Sequence, residues 1–278
     1  MAVYDCIMFF DENLITDIRF NILNEHVDKF VVVEATRDHA GKEKKLNFDI
    51  KNYKKFEHKI IYKVIDDIPE IVETYKKGWS TNFYRENFHR DSISKALVNC
   101  SSDDLIMISD ADEIPNFKSI LNTKINKFAL LSQKNFYYKL NLQSNDNWLG
   151  TGICYKKYLK SPQWLRNKRF LRRGFFRRMF FKTQIIKDGG WHFSNLKNPV
   201  DIENKLKSYL HHRDFDVEKI HLKEISKLMK NNETIYDMFA DKAEKKFSEN
   251  KRKLSLYPKN KLPQYILNNE SKFREWLD

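Results

Sequence analysis

The sequence is poor in glycine, proline and cysteine, with 7, 6 and 3 among its 278 residues. So little glycine excludes collagen-like and glycine-rich low-complexity chains. The cysteines, Cys6, Cys100 and Cys154, lie far apart with no CxxC pair. That excludes a disulfide framework or a zinc module and points to buried thiols in a reducing compartment. No run approaches the ~20 apolar residues of a membrane-spanning helix. The first residues, MAVYDCIMFFDE, carry no basic segment ahead of their apolar run and do not read as a signal peptide. Acids are the minority charge, 38 against 51 Lys and Arg, for a net charge of +13. The expectation is a cytoplasmic protein, at most peripheral to a membrane surface.

What is present is aromatic and apolar. Aromatic residues make up 14% and hydrophobic residues 41%, too much for a disordered chain despite 32% charged residues. A chain of this length can bury a sizeable core. Val3 to Phe10, Phe30 to Glu34, Lys59 to Ile65 and Leu105 to Ser109 are short apolar runs that read as buried strands. Leu14, Ile15, Ile18, Ile22 and Leu23 recur at helical spacing over 12–27, and a second helix fits 82–100. Strands alternating with amphipathic helices predict an α/β fold with a mostly parallel twisted sheet covered by helices on both faces. Residues 127–142 are β-rich, and 148–158 are suited to pair with them. Helical patterns dominate from Val200 onward. The expected organisation is a catalytic layer over 1–198 with a helical C-terminal extension over 199–278.

In open α/β sheets ligands gather at the carboxyl ends of the strands. Four candidate strands here run into acids: Asp11, Glu34, Asp66 and Asp110. The last is richest, since Asp110-Ala-Asp112-Glu113 places three carboxylates in four residues. Like charges so close are costly without a cation, and hard oxygen ligands suit Mg²⁺ or Mn²⁺. A solvated turn with helix-capping acids explains the same residues, and the motif alone leaves both readings open.

Several stretches taken together carry more. They are Tyr4-Asp-Cys-Ile-Met-Phe-Phe with Leu14 and Arg19, Val27-Asp-Lys-Phe-Val-Val-Val-Glu34 with Gly41, and Lys59-Ile-Ile-Tyr with Asp66-Asp67-Ile-Pro. They continue through Asp103 to Pro115, Trp148-Leu-Gly-Thr151, Ser161-Pro-Gln-Trp-Leu-Arg166, Gly189-Gly-Trp-His-Phe-Ser194, Ser208-Tyr-Leu-His-His and Leu262-Pro-Gln-Tyr-Ile-Leu with Phe273. In these segments and in their order the chain resembles glycosyltransferase family 17. The resemblance implies a GT-A type fold, a nucleotide-sugar donor (UDP-GlcNAc in the known members), a divalent cation and inversion at the anomeric carbon. The acceptor it implies is a glycan or lipid-linked hydroxyl.

Under that resemblance Asp110 and Asp112 are metal or ribose contacts, and His192, as a neutral imidazole, is the third metal ligand. Arg90 and Arg166 are assigned to the diphosphate, where a planar fork binds oxygens bidentately. Glu34 and Asp66 end their strands where base and ribose would lie. Trp191 is a candidate to stack on a sugar face. The base for the acceptor hydroxyl is expected at Glu113 or, second, at Asp188.

From Trp164 to Lys182 the chain reads WLRNKRFLRRGFFRRMFFK. Such a segment fits an anionic membrane surface, a loop over the donor diphosphate, stacked nucleic-acid bases, or a packed region with solvated Arg. The competing functional classes are a nucleotidyltransferase using the same acids and a non-catalytic basic binder of nucleic acid, with no nucleic acid expected under the leading reading.

Overall fold

A computed structural model of the protein describes residues 1–69, 81–172, 183–208, 222–235 and 252–278. The chain opens with β1 (Val3–Phe9), α1 (Asn13–Leu23), β2 (Lys29–Ala35) and β3 (Ile60–Ile65). Then come α2 (Thr81–Asp91), β4 (Leu105–Asp110), β5 (Glu113–Pro115) and α3 (Phe117–Leu121). The middle holds β6 (Phe128–Tyr137), β7 (Leu142–Tyr155), α4 (Pro162–Arg166) and β8 (Gln184–Ser194). The last elements are α5 (Pro199–Ser208), α6 (Leu222–Lys230), β9 (Ser255–Leu256) and α7 (Gln264–Asn268).

Among the described residues these strands form one sheet in the order β3-β2-β1-β4-β7-β6-β8-β5, with β9 paired to β7. β3, β2, β1 and β4 are mutually parallel, with Cys6 opposite Val31 on one side and Ile108 on the other. From β4 onward the sheet is mixed. β7 runs antiparallel to β4 and β6, β8 runs parallel to β6, and β5 is antiparallel to β8. The expected mostly parallel sheet therefore holds for the first half only. β6 and β7 are joined by a short turn, and a direct turn of that length can connect only antiparallel neighbours.

β1, β2 and β4 are nearly continuous apolar runs because helices and loops cover both of their faces, while β3 at the sheet edge is partly exposed. On one face Ile18, Phe20 and Leu23 of α1 pack on Ile7, Phe30 and Met107. Phe20 stacks on Phe30 at 4.2 Å, and replacing it with Ala would cost about 3–5 kcal/mol. The opposite face buries Cys6, Val31, Ile93, Ile106, Cys154 and Leu165. Cys6 and Cys154 are thus buried thiols, and Cys100 lies half-buried against the same cluster.

The helix expected over 82–100 is shorter. After Asp91 it tightens into a 3-10 segment (Ser92–Ala96), where the Ser92 hydroxyl donates to the Phe88 carbonyl and bends the chain. The expected helical region from 199 onward includes α5, α6 and α7 together with β9, while 209–221 and 236–251 lie outside the described residues. The C-terminal residues are fastened to the sheet, with Asn141 exchanging hydrogen bonds of 3.0 Å with the Asp278 backbone. Among the described residues no helix is long and apolar enough to cross a membrane.

Candidate active site

The carboxyl ends of β1, β2 and β4 open onto a cleft. Its walls come from Met8 to Phe10 after β1, Asp38 and His39 after β2, His89 of α2, Asp110 to Asp112 after β4, and Lys205 of α5. The turn carrying the acids is fixed from beneath by Arg19 of α1. This buried guanidinium donates to both Asp5 carboxylate oxygens (2.5 and 2.7 Å) and to the Glu113 carbonyl (2.6 Å). It also reaches the carbonyls of Asp110 and Ala111 at 3.4 Å.

Behind the cleft lies a charge network built on two fully buried arginines. Arg166, from α4, donates to the Glu113 carboxylate through Nη1 (2.7 Å) and Nη2 (2.5 Å), and Nη2 also binds Asp110 Oδ2. Arg90, from α2, bridges Glu86 Oε1 (2.6 Å) and Asp110 Oδ1 (3.0 Å), with its other Nη on Gln163. Burial alone would raise the Asp110 carboxyl, but Arg166 and then Arg90 outweigh it and hold it far below the usual carboxylate range. Glu86 is likewise lowered, its burial overcome by Arg90. Arg169 is pushed down to about 10, first by burial and next by Arg166. Glu113 is fully buried and also accepts from Trp148 Nε1 (2.5 Å) and the Asp110 N–H (3.0 Å).

Asp112 faces a different set. Its Oδ1 lies 3.6 Å from His192 Nε2, and its Oδ2 lies 3.8 Å from the Lys205 ammonium. The His192 ring stacks on Trp148 at 4.9 Å and 20°, and the Arg169 guanidinium lies 5.3 Å from the same indole. His192 Nδ1 is buried and has no hydrogen-bond partner among the described residues. The strand register explains the placement, since β5 and β8 pair Glu113 with His192. That register depends on Gly190, which adopts φ +135° and would place a Cβ 2.0 Å from the Ile114 carbonyl oxygen.

Of the residues singled out in the sequence, Arg90, Asp110, Asp112, Glu113, Arg166 and His192 converge here. Asp110 joins as the counter-ion of two arginines: both of its oxygens accept from them, and among the described residues no group of three acids, His or Cys is set to hold a metal. Four residues stand elsewhere. Glu34 is buried as a staple, accepting from Lys44 (2.5 Å), the N–H groups of Asn47 and Phe48, and the Tyr62 hydroxyl. Asp66 is exposed beyond β3 and outside the cleft lining. Asp188 sits on the surface at φ +49°, ion-paired with Lys134 at 2.9 Å, which lowers its carboxyl. Trp191 packs against the core from β8. Consecutive strand residues face opposite ways, so the indole at the site is Trp148, two strands along.

Sequence reasoning also passed over Glu86, Arg169 and Lys205. Glu86 had one signal, its i,i+4 spacing to Arg90 on a helix. Of the basic 164–182 stretch, the described part turns inward at Leu165 and Arg166, while Lys168 lies 4.1 Å from the Trp164 ring center. The membrane and donor-loop readings were made on 164–182, and residues 173–182 of that stretch lie outside the described residues.

A sequence profile of glycosyltransferase family 17 matches residues 1–278. Three mammalian enzymes named β-1,4-mannosyl-glycoprotein 4-β-N-acetylglucosaminyltransferase are similar over 131 residues, at 33% identity for Homo sapiens and Rattus norvegicus and 32% for Mus musculus. The aligned segment is 44% of this chain and 24% of each relative, so the chain spans about a quarter of the length of the enzymes it matches.

Proposed function

This chain belongs to glycosyltransferase family 17, and from that premise we propose that it transfers a sugar from a nucleoside diphosphate donor to a hydroxyl of a glycan or lipid-linked acceptor. The donor proposed is UDP-GlcNAc, in keeping with the N-acetylglucosaminyl group in the relatives' name. The fold is read as GT-A type and the transfer as inverting. The observation that carries the reading is the cleft at the ends of the parallel strands, lined by Asp110, Asp112 and Lys205, with His192 3.6 Å from Asp112 and two buried arginines holding Asp110 from behind.

Those two residues fit a divalent cation. A carboxylate oxygen and an imidazole nitrogen 3.6 Å apart make a two-ligand open site, and Mg²⁺ or Mn²⁺ ordinarily takes its remaining ligands from water and substrate phosphates. Asp112 and His192 would hold the ion, which when bound offsets charge on the departing diphosphate. In this reading Asp110 keeps Arg90 and Arg166 in place, and the two arginines neutralise its charge in turn. Lys205 stands where a diphosphate oxygen would meet an ammonium. Glu113 orients Arg166 and Trp148; all four of its lone-pair positions accept hydrogen bonds, so to serve as a base it would have to break into that set.

The test is a thermal-shift screen of UDP, UDP-GlcNAc and other nucleotide sugars, with and without Mn²⁺. Wild type should be stabilised by the uridine ligands with metal, by about 2–3 kcal/mol at saturating concentration. Asp112→Asn and His192→Ala should each lose the metal-dependent part and lower turnover about 100-fold. Equal stabilisation by every nucleotide, or full turnover in Asp112→Asn, would overturn the reading.

A further inference from the structure

A second, partly open pocket adjoins the cleft. It is lined by Asp11, Glu12, Asn195, Lys197 and the backs of Asp112 and Lys205, with Leu14 and Phe193 as its apolar wall. Glu12, Asp112 and Lys205 line both cavities and so form the partition between them.

Two side chains here are left ready for a ligand. Glu12 is held by its Oε2, which accepts from the N–H groups of Phe10 (2.8 Å) and Asp11 (3.1 Å). Among the described residues no hydrogen bond reaches its Oε1. Asn195 is 4% exposed, at φ +53°, and its Nδ2 has no partner among the described residues. An amide donor buried without a partner is costly, and a ligand oxygen would relieve that cost. Asp11 is occupied by Lys197 at 2.7 Å and does not compete for the amide.

We propose that this second cavity receives the acceptor sugar, with Asn195 donating to one of its oxygens and Glu12 Oε1 taking the proton of the attacking hydroxyl. The assignment rests on the nucleotide-sugar reading of the first cleft. The hydroxyl oxygen forms a bond to the anomeric carbon while the bond from that carbon to the diphosphate oxygen breaks, its electron pair leaving on the diphosphate. The hydroxyl proton goes to Glu12. A base must reach both the acceptor and the donor, and the partition is where a carboxylate does so. The carboxyl of Glu12 is raised by burial first and by Asp11 next, against Lys205, the Phe10 N–H and Lys197, which suits a proton acceptor.

The experiment uses the full chain with Mn²⁺, UDP-GlcNAc and the methyl β-glycosides of mannose, glucose and galactose. Saturation-transfer NMR on the UDP-loaded protein measures glycoside binding, and UDP release measures transfer. Glu12→Gln should keep the UDP thermal shift and glycoside binding yet lose about 100-fold or more in kcat. Asn195→Ala should raise the glycoside KM about tenfold with kcat and the UDP shift unchanged. Wild type stabilised by UDP but binding none of the glycosides overturns the subsite. Glu12→Gln with kcat near wild type, or Asn195→Ala with unchanged glycoside KM and NMR signal, overturns the two assignments. Absence of any UDP shift in wild type strikes the donor reading instead, and glycoside binding without UDP then decides the cavity on its own.

Discussion

Arg166 carries more of the site than any other side chain, because one guanidinium satisfies two carboxylates three positions apart in the chain. Arg166→Lys keeps the charge but cannot span Asp110 and Glu113 together, and it strands acceptors in a region closed to water. We expect it to lower stability by about 3–5 kcal/mol in urea unfolding, with the cost reduced when Glu113→Gln is combined with it. At this scale the sequence showed the residue types, while their partners came only with the fold. Asp110 reads as a metal ligand because three acids crowd one turn, yet nothing in the turn itself reveals arginines arriving from positions 90 and 166. Glu34 ends its strand like a ligand contact and is consumed by backbone N–H groups of its own loop. Trp148 was legible only as part of a family segment, since its reach to Glu113 depends on strand pairing.

Among the elements, β8 does the positioning, and its course is set midway along by Asp188-Gly189-Gly190. The pairing of β6 with β8 slips between Leu131 and Gln133 at this point, and the slip brings His192 opposite Glu113. Gly190→Ala introduces a Cβ against backbone that cannot yield, at a φ that L residues avoid. It should destabilise the protein by more than about 3 kcal/mol and lower metal-dependent nucleotide binding even in the fraction that stays folded, as measured by thermal shift and titration. The strands β1, β2 and β4 were legible because residues buried on both faces leave a nearly unbroken apolar run. Beyond β4 the pairing of 127–142 with 148–158 was legible and stands as β6 against β7, whereas β8 was not, since it mixes polar and apolar residues and its register with β6 shifts.

The whole molecule is strongly basic, yet its native state is expected to weaken in mild acid for a reason unrelated to net charge. His89 is buried with Nε2 against the Val33 carbonyl, and burial, then His39, lowers it to about 3. Between its ordinary 6.5 and about 3 the unfolded chain binds a proton that the native imidazole does not, so stability falls as pH falls through that window. Urea unfolding at pH 5 should show about 2 kcal/mol less stability than at pH 7.5, and His89→Gln should shrink the difference. A larger difference in the variant would refute the assignment. The +13 charge suggested nucleic acid at first, and counting could not reveal that Arg19, Arg90 and Arg166 lie inside, neutralising acids. That interior arrangement also bears on synthesis. Glu113 waits 53 residues for its guanidinium, and Asp110, already paired with Arg90, waits 56 for its second, while β4 borders β7 rather than a solvent edge. A nascent chain that has released only the parallel half carries the buried Glu113 without its cation and an open sheet edge, so that half is no self-sufficient folding unit. Dividing the gene after residue 125 should therefore yield two insoluble fragments, and activity only if both are made in the same cell.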